Sequence, residues 1–157
     1  MKENFRKTAR DTALEVLLSV SAANAWSDGS LKRTIANNGL DNRDAALCSR
    51  IAYGVIQNRA YLDYYIDLWC AQPARKLEPL ILNILRIGAY QILFMDKVPH
   101  HAAVNEAVEM TRRSNRPKAA GMVNAVLRKF VANWMNMPAL PGTTADYLSI
   151  RYSHPKW

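Results

Sequence analysis

Residues 78–94 read E-P-L-I-L-N-I-L-R-I-G-A-Y-Q-I-L-F, and this stretch decides the fold class. Glu78-Pro79 opens it as a helix start does, because proline loses nothing in a first turn whose N–H groups have no intrahelical partner. Leu80, Ile81, Ile84, Leu85, Ile87, Ile92 and Leu93 then place apolar side chains on nearly every side. Asn83, Arg86 and Tyr90, spaced i, i+3 and i+7, leave one narrow polar stripe. A helix apolar over most of its circumference belongs inside a bundle, surrounded by other helices. Gly88 costs about 1 kcal/mol of helix propensity against alanine, so close approach of a neighbouring helix is its expected reason. The predicted class is all-α, with this helix at the centre.

Outward from it, the same periodicity recurs. Residues 5–25 are predicted as a first helix with Ala9, Ala13, Val16, Leu17 and Val20 on one face. Ser27-Asp28-Gly29 breaks it, Ser30 can cap a short helix to about Asn37, and Asn38-Gly39 closes that one. Asp41 caps a third helix whose core face is Ala45 or Leu47, Ile51 and Val55, with Gly54 as another close-packing position. Arg59 to Cys70 carries Leu62, Ile66 and Trp69 inward. Tyr61, Tyr64 and Tyr65 are expected at the bundle edge, where packing and base stacking are both open uses. Beyond the central helix, Ala103, Val104, Ala107, Val108 and Thr111 face inward, with Glu106 able to reach Arg86 and Glu109 able to pair with Arg113. The last long helix, residues 118–134, buries Val123, Val126, Leu127, Phe130 and Trp134. Pro138 to Gly142 is a linker, after which Thr143 can cap a short helix through Leu148 and Ile150. His154-Pro155 breaks structure again and Trp157 is expected to begin a further element. The expected division is a domain over residues 1–136 and a linker or joint over 137–157.

With 157 residues, half of them hydrophobic, the chain can bury a real core and is not disordered. No apolar run reaches the roughly 18 residues needed to cross a bilayer. The start, M-K-E-N-F-R-K, leads into an amphipathic pattern containing Asp11 and Glu15, unlike a secretory signal, so a cytoplasmic location is expected. Cys48 and Cys70 lack metal-ligand spacing and are expected as buried free thiols. His100 and His101 are adjacent, point in different directions on a helix and make a poor metal pair.

The net charge of +8 is the first functional signal, because a basic globular domain often meets a polyanion. Lys2, Arg6 and Arg10 fall at i, i+4 and i+8 with Lys7 beside them. Cations at a helix N-terminus oppose the macrodipole, so helix stability does not account for them. A solvated basic end and contact with RNA phosphates are the two readings. Arg112, Arg113, Arg116 and Lys118 gather at a second basic turn.

Four pieces in order, I-A-Y-G-V (51–55), L-R-I-G-A-Y-Q-I-L-F (85–94), V-P-H-H-A-A-V-N-E-A-V-E (98–109) and G-M-V-N-A-V-L-R-K (121–129), together resemble the NusB family of all-helical RNA-binding domains. The resemblance covers roughly residues 5–135. It implies a bundle of about seven helices in two three-helix arrays, a short C-terminal linker helix, and RNA bound around the basic first helix. Lys2, Arg6, Lys7 and Arg10 are then the first candidates for RNA phosphate, and Arg112, Arg113, Arg116 and Lys118 the second. The domain serves two groups of proteins. Free-standing transcription antitermination factors bind RNA with a NusE-type ribosomal protein as partner. The RsmB-type (Fmu/Sun) small-subunit ribosomal RNA cytosine-5 methyltransferases carry it as their N-terminal region.

The tail Y-L-S-I-R-Y-S-H-P-K-W resembles the joint to the methyltransferase portion. The first helix, F-R-K-T-A-R with Leu18 where antitermination factors often carry an aromatic, also departs from the first group. For the second group the resemblance implies S-adenosylmethionine as methyl donor, and a cysteine that attacks carbon 6 of cytosine so that carbon 5 can be methylated. No glycine-rich turn after a strand offers a cofactor loop. Neither L-C-S at Cys48 nor W-C-A at Cys70 matches the family's Pro-Cys or Thr-Cys setting. This chain is therefore expected to hold no catalytic residue, cofactor or metal itself, with ribosomal RNA and its own C-terminal methyltransferase domain as partners and no membrane.

Overall fold

The computed structural model describes residues 6–24, 26–142 and 150. Among the described residues lie seven α-helices: α1 (Ala9–Ala23), α2 (Asp28–Asn37), α3 (Asn42–Gln57), α4 (Arg59–Trp69), α5 (Pro79–Phe94), α6 (His100–Arg113) and α7 (Ala120–Asn133). Short 3-10 turns, Ala74–Lys76 and Pro117–Ala119, precede α5 and α7. The expected short helix from Thr143 lies outside the described residues, apart from Ile150. The chain divides into two compact units, residues 1–53 and 54–157.

The first unit holds α1, α2 and most of α3. α1 buries Ala9, Ala13, Val16, Leu17 and Val20, the expected face, together with Leu14. It ends at Asn24, whose left-handed φ of 51° an asparagine tolerates better than most residues. Ser27 rather than Ser30 caps α2, its hydroxyl accepting from the Ser30 N–H at 3.3 Å. At the other end Gly39 takes a φ of 65°, its N–H donating to Ala36 O and that of Leu40 to Ile35 O. This paired arrangement satisfies the last carbonyls of the helix, as Asn38-Gly39 predicts. Asp41 accepts from the Asp44 N–H at 2.8 Å and starts α3. Cys48, Ile51 and Ala52 are buried there, and burial pushes the Cys48 thiol up to about 12, so it stays protonated and inert.

In the second unit α5, α6 and α7 pack on one another, with α4 against α5 and α7. α5 is enclosed as its composition requires: Ile84, Leu85, Ile87 and Ala89 are at most 1% exposed. Each such aliphatic side chain contributes about 1.5–3 kcal/mol on leaving water, alanine less. A Cβ built on Gly88 would lie 2.7 Å from a Leu127 methyl of α7, the close helix approach expected of it. A Cβ on Gly54 would lie 2.0 Å from the Tyr90 ring.

The polar stripe on α5 is buried rather than wet. Arg86 is 8% exposed and grips Asp63 of α4 through Nε and Nη2, both at 2.7 Å. Its Nη1 donates to Asn83 Oδ1 at 3.1 Å, while the Asn83 amide donates to Pro79 O at 2.9 Å. The expected Arg86–Glu106 pair is thus replaced: Glu106 accepts from Arg113 of its own helix at 2.7 Å. Tyr65 is likewise not at the edge. It is 2% exposed, within ring contact of Tyr61, Tyr64 and Trp69, and its hydroxyl donates to Pro138 O at the linker. Trp134, expected in the core, is 44% exposed at the C-terminal end of α7, where it is the cap residue following Asn133. Its indole instead meets His100 edge-on at 5.0 Å and borders an open groove of about 370 Å³ with Ile92, Val98 and Pro99. Cys70 is half-buried with its Sγ 3.9 Å from Met122 Sδ.

Candidate nucleic-acid interface

Thr8 decides the geometry of the first basic group. Its hydroxyl accepts from the Asp11 N–H at 3.1 Å, and the Asp11 carboxylate accepts from the Thr8 N–H at 3.0 Å. This reciprocal cap satisfies two backbone donors and sets a negative charge at the positive end of the helix. α1 therefore starts at Ala9. Arg6 and Lys7 lie in the segment before it, and Arg10 alone of the group is on the helix. The helical register expected of Lys2, Arg6 and Arg10 does not hold, and Lys2 lies outside the described residues. Arg6 and Lys7 are exposed and Arg10 is half-buried.

Lys7 is held rather than loose. Its Nζ meets Glu15 Oε2 at 2.8 Å, and the Asn38 amide donates to the same oxygen and to Thr12 Oγ1, each at 3.0 Å. The Asn38 hydrogen bond first, then that of Lys7, holds the Glu15 carboxyl below the ordinary glutamate value of 4.5. A depressed folded value means that this stabilisation is present above the unfolded value and is lost as pH falls through the folded one. Glu15→Gln is therefore expected to flatten the loss of thermal stability below about pH 4.5, by under 1 kcal/mol since the pair is exposed. Melting curves of both proteins between neutral pH and about pH 3 check this, and parallel profiles would remove the assignment.

The second basic group is largely neutralised. Arg112 pairs with Glu109, Arg113 with Glu106 and Arg116 with Glu78, each at 2.7 Å. Asn115, at a φ of 62°, closes α6 with its N–H donating to Arg112 O and the Arg116 N–H donating to Thr111 O. That turn holds Arg116 against Glu78, the residue before α5, in a two-pronged contact through Nε and Nη2. The Arg116 guanidinium holds Glu78 below the usual carboxylate range, and Glu78 in turn raises Arg116. Lys118 is exposed on the following 3-10 turn. Four cations against three carboxylates leave a net charge of one here, where the residue types in sequence suggested four.

A third feature escaped the sequence reading. Trp26 and Tyr53 stand in ring contact at 4.7 Å with planes tilted by 52°. The Trp26 indole N–H donates to Asp28 Oδ1 at 2.9 Å, and the Tyr53 hydroxyl donates to the same oxygen. On α3 the buried residues Cys48, Ile51, Ala52 and Val55 trace one face, so Tyr53 falls off it. That phase mismatch was the available signal; the pairing with a residue 27 positions earlier was not. Among the described residues no group of three His, Cys, Asp or Glu could hold a metal ion, and no helix is long and apolar enough to cross a membrane.

An all-helical bundle with a capped basic N-terminal segment defines a class, and the comparisons with known proteins agree. The NusB family model matches residues 7–132, and the chain belongs to the NusB family. It is 32% identical over 154 residues to the probable ribosomal RNA small subunit methyltransferase B of Bacillus subtilis, covering 98% of this chain and 34% of that protein. It is 30% identical over 118 residues to ribosomal RNA small subunit methyltransferase B of Escherichia coli O157:H7, covering 75% of this chain and 26% of that protein. The chain thus spans about a third of the length of the curated relatives it matches, corresponding to their N-terminal part. The crystal structure of PH0851 superimposes with a TM-score of 0.68 over 94% of this chain and 33% of that one, at 11% identity. This last likeness concerns the fold alone.

Proposed function

We propose that this chain is the RNA-binding N-terminal domain of a ribosomal RNA (cytosine-5) methyltransferase. Its role is to engage or position small-subunit ribosomal RNA for a catalytic domain that takes its methyl group from S-adenosylmethionine. One observation carries the reading: the family model ends at residue 132, whereas the similarity to the Bacillus subtilis relative takes in 98% of the chain and so continues through the linker. Residues 1–136 are the domain and 137–157 the joint to its partner, its own methyltransferase domain, in the cytoplasm.

Arg6, Lys7 and Arg10, with Lys2, are the first phosphate-binding group. Arg112, Arg113, Arg116 and Lys118 rank second because three of these cations already hold carboxylates. On single-stranded RNA each phosphate contact contributes about 0.7 to the slope of log affinity against log salt. Replacing Lys2, Arg6, Lys7 and Arg10 by alanine is expected to weaken binding to a small-subunit rRNA fragment and to lower that slope by about 2 to 3. The same treatment of the second group is expected to change it by about 1 or less. Titrations by fluorescence anisotropy across a salt series measure both, and an unchanged slope in the first variant would displace the RNA site from α1.

A further inference from the structure

We propose that Trp26 and Tyr53 form a stacking platform for an unpaired RNA base, a subsite separate from the phosphate contacts at the start of α1. The inference rests on the RNA-binding reading and adds a base-recognition element to it.

The tyrosines that sequence reading offered for stacking are committed elsewhere: Tyr65 is buried, and Tyr61 and Tyr64 are half-buried against it. Tyr53 is 37% exposed. Its ring and that of Trp26 are held by one acceptor, Asp28 Oδ1, to which the phenol and the indole both donate. Two rings whose polar ends are fixed in this way lose little further freedom when a flat ligand arrives. Core packing does not account for the arrangement, because the ring of Tyr53 points away from the buried face of α3.

The charges around the rings suit a nucleotide. Arg50 lies one turn before Tyr53 on α3, hence on the same side of that helix. Lys32 is close enough to Asp28 to stabilise its charge. Arg33 lies over the first turn of α2, its Nη1 3.3 Å from where a Cβ on Gly29 would be. Asp28, at the polar ends of both rings, disfavours a phosphate close to them. A base stacked on the exposed side chain of Tyr53 beside the half-buried Trp26, with its phosphates toward Lys32, Arg33 or Arg50, meets both conditions. All these residues belong to the first unit, as does the first basic group.

Stacking of a base on an aromatic side chain contributes about 1–3 kcal/mol and does not depend on salt, whereas phosphate contacts do. The test uses the chain as it stands with a fluorescent single-stranded oligouridine of about twelve nucleotides. Tyr53→Leu keeps apolar bulk but loses the π face, and is expected to weaken binding roughly 5- to 100-fold with the wild-type salt slope. Tyr53→Phe keeps the face and is expected to lose much less. Thermal melts of both variants establish that they are folded. Wild-type affinity in Tyr53→Leu overturns the platform and leaves the RNA-binding reading standing. Equal losses in Tyr53→Leu and Tyr53→Phe, or a loss accompanied by a lower salt slope, also overturn it, since the ring face would not be what matters. Absence of salt-dependent binding by the unaltered chain, to this oligonucleotide and to the rRNA fragment alike, defeats the reading and the platform together.

Discussion

Asp63→Ala is expected to cost the fold about 3–5 kcal/mol. That is a large share of the roughly 5–15 kcal/mol that holds an ordinary domain together. The cost is not the worth of the ion pair but the penalty of its remainder. The guanidinium of Arg86 carries only N–H donors and no acceptor, and its side chain is 10% exposed inside the second unit. Without Asp63, two of its N–H groups lose acceptors held at 2.7 Å, and Asn83 alone cannot replace them. Asp63→Asn keeps one acceptor oxygen and is expected to cost less. The pair Asp63→Leu with Arg86→Met removes both charges, and is expected to recover most of the loss because apolar replacements of a buried pair are often neutral. Urea unfolding midpoints of the four proteins decide the matter. A loss below about 1 kcal/mol in Asp63→Ala would mean that water reaches Arg86 freely and that the pair behaves as a surface one.

Gly54→Ala is expected to destabilise by about 2 kcal/mol net, the upper end of overpacking less the helix-propensity gain of alanine over glycine. The added Cβ would sit 2.0 Å from Tyr90 Cζ and 2.3 Å from its hydroxyl oxygen. The ring cannot simply turn aside, since it is 8% exposed and lies against Phe94 at 5.4 Å. Gly88→Ala presents the same chemistry with a softer neighbour. Its Cβ would meet the two methyls of Leu127 at 2.7 and 3.0 Å, the free end of a side chain with other rotamers. Its net cost is therefore expected to be the smaller of the two. Tyr90→Leu should relieve Gly54→Ala, giving a favourable coupling of at least about 1 kcal/mol in a double-mutant cycle. Additive losses would mean that the ring is not the obstacle.

These two glycines show how far the sequence could be read. Each was legible as a position of close approach, because a helix-breaking residue inside an apolar helix needs a steric reason. What approaches was not legible. Leu127 lies 39 positions from Gly88 and Tyr90 lies 36 from Gly54, and local periodicity carries no information on which distant face arrives. The same division runs through the candidate site. The residue types of both basic groups stand in the sequence, yet the helical register expected of the first group is cut off before Ala9 by the cap that Thr8 and Asp11 form. The capping box was itself readable, as threonine followed three residues later by a carboxylate.

The sequence by itself determined the helices, the enclosed character of residues 78–94, the turn at Asn38-Gly39 and the family. These follow from spacing, propensity and turn chemistry, all of which act within a few residues. Only the tertiary structure decided which charges remain available. Glu78 reaches Arg116 across 38 positions and Asp63 reaches Arg86 across 23, so two arginines that look alike in sequence become one surface pair and one buried clamp. It also decided that Trp26 and Tyr53 meet over Asp28, since ring contacts depend on how helices pack rather than on the order of residues along them.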